Sequence, residues 1–255
     1  MKLHLRTRKL AAITILSLLA ISCGRSNHQR LALAYVIDMT ASVDTDAIKQ
    51  AFAAIQPLLN SKTLKRGDSI TIIPITGDTL TESQGKILRI HLPENREVYD
   101  SDLTNLAKDV EEKLKHMQSE ATANPYQHSD ILGAADLAAE ELSTEKGNVR
   151  KVIVILSDFI QDDAKFNFNT SPDLANDRTA IALAKKLSAN HRDEFAKTTL
   201  YLGMLRSKDL KKMPNARREA VKTFWREYFK AGSAQSVALA IDGPGKITSA
   251  VDRTE

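Results

Sequence analysis

The stretch from residue 31 to residue 42 reads LALAYVIDMTAS. Its first part, Leu31 to Ile37, is an unbroken apolar run of β-forming residues, which is typical of a strand buried on both faces. Its last part, Asp38 to Ser42, carries short side chains with oxygen atoms. A buried strand that ends in such a loop predicts a parallel sheet with a ligand site at the carboxyl ends of its strands.

Apolar strands and amphipathic helices alternate along the rest of the chain. The further predicted strands are 69–75, 85–92, 149–156, 198–205 and 237–241, and the predicted helices are 44–59, 101–117, 131–142, 179–189 and 216–230. This alternation predicts βαβ units, and hence an α/β fold with a doubly wound, mainly parallel sheet and helices on both faces. Residues 161–177 are expected to form a long loop after the strongest strand, a position where loops often carry function.

The basic residues are concentrated at the N-terminus. The chain has 36 Lys and Arg against 32 Asp and Glu, a net charge of +4. Residues 1–22 hold four of the basic residues and no acidic one, which leaves 32 of each sign in the remainder. A neutral remainder lacks the excess of positive charge that binding to a phosphate backbone requires, so we expect no nucleic-acid partner.

The first 22 residues have the order of an export leader. A basic start is followed by the almost wholly apolar residues 10–21 and then by Ser22 and Cys23. The apolar run is about a dozen residues, short of the roughly 20 that a membrane-spanning helix needs. Cys23 is the single cysteine, which excludes an internal disulfide and a thiolate metal site.

Ala20-Ile21-Ser22-Cys23 resembles the lipobox of bacterial lipoproteins, in which the cysteine is acylated and becomes the new N-terminus. The resemblance implies a signal peptide at 1–22, a lipid-anchored tether at 23–30 and a folded domain at 31–255. An ordinary signal peptide or a short N-terminal anchor is the alternative. Gly24 stands where enteric lipoproteins retained at the inner membrane carry aspartate. We therefore expect a lipoprotein of the cell envelope, on the outer membrane and facing the periplasm.

Polar side chains follow the two strongest predicted strands. The first runs into Asp38, Thr40 and Ser42, and the strand at 149–156 runs into Asp158. Between them, Ser129 precedes a helix of small residues. Hydroxyl and carboxylate oxygens are the ligands that Mg²⁺ and similar hard cations prefer. Each residue alone also suits the capping of a helix or turn, but their order at three loops favours a metal site.

Asp38-x-Thr40-x-Ser42, then Ser129, then Asp158 resemble the metal-ion-dependent adhesion site of von Willebrand factor A (vWA) domains. The resemblance spans about residues 31–245 and implies the Rossmann-like vWA fold. It also implies that Thr40 and Ser42 ligate Mg²⁺, or Mn²⁺ or Ca²⁺, through their hydroxyls. Asp38 and Asp158 would act directly or through water, and Ser129 would join in one state of the site.

The chain departs from the family pattern at three positions. Thr40 replaces the commoner serine and Ser129 the commoner threonine, and both keep the hydroxyl. Phe159 stands where glycine often follows the aspartate, and we expect it to narrow the groove beside the ion.

We expect a binding module, in which an acidic residue of a protein partner completes the coordination of the ion, and not an enzyme. One alternative is a Mg²⁺-dependent phosphohydrolase. It is disfavoured because Thr40 occupies the place of the second aspartate of the haloacid dehalogenase pattern, and because the chain has no Gly-Lys-Ser/Thr or Gly-x-Ser-x-Gly motif. A vWA scaffold that has lost its metal is the other alternative.

Other conspicuous residues are expected to be structural. His128 has no partner at metal-ligand spacing, and we expect it at the surface. The aromatic residues between 224 and 229 are expected to pack a helix on the sheet. The basic residues of 206–230 are expected to form a solvated face, with contact to anionic lipid head groups as the alternative.

Overall fold

The computed structural model describes residues 29–60 and 63–240, together with Ile247 and Val251. The proposed signal peptide, Cys23 and most of the tether lie outside the described residues, as does most of the segment after 240. In the part of the chain that is described, no helix is both long enough and apolar enough to span a bilayer.

The described strands form one sheet of six. They are β1 (Arg30–Asp38), β2 (Ser69–Ile75), β3 (Leu88–His91), β4 (Val149–Ser157), β5 (Thr198–Met204) and β6 (Ser236–Ala240). Their order is β3-β2-β1-β4-β5-β6, and all neighbouring pairs are parallel except β2 and β3. The chain first winds from β1 towards β3 and then returns to β4 on the other side of β1. This confirms the predicted doubly wound, mainly parallel sheet.

Seven α-helices accompany the sheet in the described ranges. They are α1 (Thr45–Ala53), α2 (Thr79–Glu82), α3 (Asp100–Ala123), α4 (Ile131–Ser143), α5 (Asp177–Ser188), α6 (Lys208–Lys212) and α7 (Asn215–Ala231). Side chains from α1 and α3 join one buried cluster, and side chains from α4, α5 and α7 join another. The two clusters cover opposite faces of the sheet, as the apolar strands require.

Strand β1 shows why apolar and polar side chains do not alternate in residues 31–37. It hydrogen-bonds to β2 on one side and to β4 on the other, so both of its faces are buried. One face carries Ala32, Ala34 and Val36, which share a core with α4, a helix whose buried residues are mainly alanine. The other face carries larger side chains such as Leu33 and Tyr35. The small side chains let α4 approach β1 closely.

Three element boundaries differ by more than two residues from those predicted. Helix α1 stops at Ala53 and a 3₁₀ turn follows, because Pro57 lacks the N–H that a continuing helix needs. Helix α3 runs to Ala123, beyond the predicted 117. Strand β3 begins at Leu88 and not at Gly85, because Gly85 has a φ of 85° and belongs to a turn.

Candidate functional site

Asp38 is the last residue of β1, at the point where the winding direction of the sheet reverses. Its Oδ1 accepts hydrogen bonds from the Thr40 N–H at 3.0 Å and the Thr40 hydroxyl at 2.6 Å, and its Oδ2 accepts one from the Ser157 hydroxyl at 2.6 Å. Burial raises the pKa of the Asp38 carboxyl, and the hydrogen bonds from Ser157 and Thr40 oppose the rise. The carboxylate is therefore held in one orientation by its own loop and by the neighbouring strand.

The Thr40 hydroxyl is the centre of a cluster of three hydroxyls. The Ser129 hydroxyl donates to Thr40 Oγ1 at 2.8 Å, and Ser42 Oγ lies 3.1 Å from the same atom. The loop backbones are joined as well, because the Ala41 N–H donates to the Tyr126 carbonyl at 2.9 Å. Loops far apart in the chain thus bring their hydroxyl oxygens to one place.

Asp158 follows directly after β4 and is fully buried. Its Oδ1 accepts the Ile160 N–H at 2.9 Å, but its buried Oδ2 has no hydrogen-bond partner among the described residues. Burial, and then the charge of Asp38, raise the pKa of Asp158 to about 7. The Ile160 N–H lowers it, as do the hydroxyls of Ser207 and Ser42, which lie near the carboxyl without forming a hydrogen bond of good geometry to Oδ2.

The structure therefore brings all five predicted site residues to one edge of the sheet. Direct hydrogen bonds join Asp38, Thr40, Ser42 and Ser129. Asp158 lies beside them because it directly follows Ser157, whose hydroxyl donates to Asp38. No lysine or arginine in the described ranges forms an ion pair with either buried carboxyl. Two carboxyls without a counter-charge, neutral hydroxyls and one unpaired oxygen suit a divalent cation, which would supply the missing charge. Their role as metal ligands stays a prediction.

Two supporting residues were not predicted. Ser157 links β4 to Asp38, and it also accepts the Phe159 N–H at 2.9 Å. The buried Gln161 side chain accepts the N–H groups of Ile131 and Leu132 at 2.8 and 3.0 Å, so it caps the start of α4, two residues after Ser129. Ser157 stands next to Asp158 in the sequence, but no local pattern marks a glutamine as the cap of a helix thirty residues earlier.

Phe159 does not narrow a groove, contrary to our expectation. Its φ is 61°, the left-handed region in which glycine is usual. The side chain points into the core, where it is buried and its ring lies edge-on to Trp225 at 5.8 Å. Its carbonyl accepts the Trp225 indole N–H at 2.9 Å. The backbone keeps the shape a glycine would give it, because aromatic packing offsets the strain.

A basic pocket adjoins the site at the end of β5. It has a volume of about 460 Å³ and is lined by Met204, Leu205, Arg206, Ser207, Leu210, Lys211, Arg218 and Lys222. Its wall is joined to the loop of Thr40 and Ser42, because Val43 pairs with Ser207 and the Asp44 N–H donates to the Arg206 carbonyl at 3.0 Å. The basic stretch after β5 is thus partly a pocket wall, and not only the solvated face that we expected.

The expectations for the remaining residues are confirmed. His128 is exposed and pairs with Asp162 at 3.1 Å. The aromatic face of α7 packs into the core on one side of the sheet.

A second polar cluster was not predicted from the sequence. His191 Nδ1 lies 2.5 Å from Glu194 Oε2 and 3.6 Å from Asp136 Oδ1. The Tyr228 hydroxyl donates to Asp136 Oδ1 at 3.3 Å. Burial and then the charge of Glu194 raise the pKa of Asp136 to about 7, while His191 lowers it. His191 and Glu194 are close in sequence, but Asp136 lies on α4, and no spacing pattern joins it to them.

Comparisons with known proteins bear on the fold alone. No family model and no curated protein matches the chain. Among solved structures, similar chains include the conserved hypothetical protein BatB from Bacteroides thetaiotaomicron, at 14% identity and a TM-score of 0.46 over 88% of this chain and 96% of BatB. The manganese-loaded TRAP protein of Plasmodium vivax is 12% identical, with a TM-score of 0.39 over 78% of this chain and 74% of TRAP.

The open form of the pilus adhesin SpaC from Lactobacillus rhamnosus GG is 8% identical, with a TM-score of 0.45 over 89% of this chain. The match covers 30% of SpaC, so this chain spans under a third of that protein. The strand order and the parallel pairing by themselves place the chain among doubly wound α/β folds.

Proposed function

We propose that the chain is a lipid-anchored binding module of the cell envelope. Its vWA-like domain holds a divalent cation through Asp38, Thr40, Ser42, Ser129 and Asp158, and through the cation it binds an acidic residue of a protein partner. The observation that carries the proposal is the meeting of these oxygens around a buried Asp158 oxygen that has no partner among the described residues.

The chemistry of the donors favours a hard cation. Mg²⁺, Mn²⁺ and Ca²⁺ bind carboxylate and hydroxyl oxygens, and no nitrogen or sulfur donor contributes to this cluster. Three of the five donors are neutral hydroxyls, so they leave a bound divalent cation electrophilic towards a further carboxylate. The partner's acidic residue is the natural source of that carboxylate.

The basic pocket supports an acidic partner. Arg206 and Lys211 line it beside the loop that carries Thr40 and Ser42. Lys211 is partly neutralised by Asp44 at 3.0 Å, whereas no acidic partner of Arg206 is found in the described ranges. A positive rim next to the cation would steer an acidic segment towards it and disfavour basic ones.

The placement of Asp38 favours a binding module over a phosphohydrolase. A nucleophilic aspartate must reach the phosphorus atom of its substrate, but Asp38 is fully buried. Both of its oxygens also accept hydrogen bonds, from Thr40 and from Ser157. The carboxylate is better placed to organise the loop than to attack a substrate.

The proposed anchor follows from the leader. Acylation of Cys23 with more than one chain would give stable attachment to a membrane. A tether of seven residues reaches at most about 25 Å, so the domain would lie close to the lipid surface. Replacement of Cys23 by Ser should release the protein from the membrane fraction and prevent incorporation of labelled fatty acid. Continued membrane attachment of the Cys23→Ser variant would contradict a lipoprotein.

The metal site is tested by titration of the full-length protein in detergent with Mn²⁺, followed by electron paramagnetic resonance. We expect binding that Mg²⁺ displaces, and an affinity at least tenfold lower in Ser42→Ala, since one ligand is lost. Ser143→Ala is the matched control, because this serine lies at the far end of α4 and its hydroxyl donates to the Glu140 carbonyl of the same helix. Equal Mn²⁺ affinity in Ser42→Ala and the wild type would refute the site.

Partner binding is tested by capture of envelope proteins on the immobilised protein. We expect partners that are retained with Mg²⁺, released by EDTA and not captured by Ser42→Ala. Partners that stay bound in EDTA would contradict binding through the metal. That result would favour the alternative of a vWA scaffold that has lost its metal.

A further inference from the structure

His191 and Glu194 of the second polar cluster lie at the opposite end of the sheet from the first site. His191 and Glu194 belong to the turn that links α5 to β5, where β5 begins, whereas the first site lies where β1 and β4 end. Asp136 approaches this turn from α4, and Tyr228 approaches it from α7. The cluster is thus built from three separate elements and shares no residue with the first site.

From this geometry we propose that Asp136, His191 and Glu194 form a transition-metal site with the ligand set of Zn²⁺. One imidazole nitrogen and two carboxylate oxygens lie within 4.8 Å of one another. Ligand atoms around a tetrahedral Zn²⁺, each about 2.1 Å from the ion, lie about 3.4 Å apart. The distances from His191 Nδ1, 2.5 Å to Glu194 and 3.6 Å to Asp136, lie on either side of that value. Small side-chain rotations would bring all three to one ion.

Charge balance also favours a cation. No lysine or arginine in the described ranges forms an ion pair with Asp136 or Glu194. A divalent cation bound by neutral imidazole would balance both acids at once.

The supporting contacts hold the ligands before any ion binds. The Tyr228 hydroxyl donates to Asp136, as the outer partners of metal ligands commonly do. The turn is fixed by the His191 N–H, which donates to the Ser188 carbonyl at 2.9 Å, and by the Phe195 N–H, which donates to the Gly232 carbonyl at 3.1 Å. The ligands therefore need little ordering to bind.

The two sites differ in the metal they select. The first offers oxygen donors only, which suit Mg²⁺, whereas an imidazole nitrogen shifts preference towards Zn²⁺. The ligand side chains are 24–32% exposed, so water or a donor from another molecule can take the fourth position. The proposed Zn²⁺ site does not depend on the adhesion-type function.

The test is calorimetric titration of the full-length, chelator-treated protein with ZnCl₂ in excess Mg²⁺, with Mg²⁺ filling the first site. We expect one equivalent of Zn²⁺ to bind, with the same affinity in Ser42→Ala. The affinity should fall at least tenfold in His191→Ala and in the milder Glu194→Gln. His128→Ala is the matched control, because His128 also pairs with a carboxylate, Asp162, but belongs to no cluster of three ligands among the described residues.

Titration with Co²⁺ gives a second readout, since a tetrahedral site containing imidazole produces visible absorption bands. Circular dichroism verifies that each variant is folded. Zn²⁺ binding that is unchanged in both His191→Ala and Glu194→Gln would overturn the proposal, as would the absence of Zn²⁺ binding to the wild type. Loss of Zn²⁺ binding in Ser42→Ala alone would also overturn it, because it would assign the ion to the first site.

Discussion

Replacement of Asp158 by Asn removes one of two neighbouring buried carboxyls and keeps the shape of the side chain. The carbonyl oxygen of the new side chain can still accept the Ile160 N–H. Its amide nitrogen can donate towards the hydroxyls of Ser42 and Ser207, near the oxygen that has no partner among the described residues of the wild type. In the absence of divalent cations we therefore expect the variant to be more stable than the wild type, although it loses a charged group.

The magnitude follows from the pKa of Asp158. The carboxyl ionises with a pKa of 3.8 when unfolded and about 7 when folded. At about 1.4 kcal/mol for each pKa unit, this difference corresponds to about 4 kcal/mol. Below pH 4, Asp158 is protonated in both the folded and the unfolded state, so its burial does not lower the free energy of unfolding. Because its pKa is higher in the folded state, the wild type loses stability as the pH rises from 4 towards 7. Above pH 7 the full loss of about 4 kcal/mol remains.

The assay is urea unfolding of the wild type and Asp158→Asn in EDTA at pH 5 and pH 8. We expect the variant to have the higher free energy of unfolding, by a margin that is larger at pH 8. Saturating Mg²⁺ should then stabilise the wild type and leave the variant unchanged. Asp109→Asn, an exposed position on α3, controls for the loss of charge alone. A variant less stable than the wild type at pH 8 in EDTA would refute the reasoning.

Substitutions at two further positions, Phe159 and Gln161, test the loops around the site. Phe159→Ala should lower the free energy of unfolding by about 3–5 kcal/mol, since a buried ring is lost. Phe159→Gly should cost about 1 kcal/mol less than Phe159→Ala, because glycine relieves the strain of a φ of 61°. The opposite order in urea unfolding would show that the backbone is not strained. Gln161→Ala should cost about 1–3 kcal/mol and speed amide hydrogen exchange at Ile131 and Leu132, whose N–H groups lose their acceptor. Unchanged exchange at both amides would exclude this cap.

The sheet could be predicted because each strand carries its own signal. An apolar run such as Leu31 to Ile37 is too continuous for an exposed strand, and its burial between β2 and β4 confirms the inference. Asp38, Thr40 and Ser42 could also be predicted as site residues, since a doubly wound sheet binds its ligands at the loops that follow its strands. The structure adds which oxygen contacts which.

The other polar contacts could not be predicted because they depend on how elements meet. Asp136 contacts His191 only because the second turn of α4 passes the turn after α5, and these residues are 55 positions apart. Gln161 has no feature that distinguishes a helix cap from an ordinary loop glutamine. The sequence shows a phenylalanine at position 159, and we therefore expected its ring to narrow the groove. The direction of the ring depends on its packing against Trp225, which the sequence does not show.

If Cys23 is lipidated as proposed, the direction of β1 would orient the domain relative to the membrane. Under the proposed anchor, the strand starts seven residues after the lipid, and its nine residues at about 3.3 Å each extend about 30 Å. The strand would thus begin at the end of the domain nearest the lipid and finish with Asp38 at the end farthest from it. The adhesion-type site would then project into the aqueous compartment, where a partner can reach it, and the cluster around His191 would lie on the side that faces the head groups.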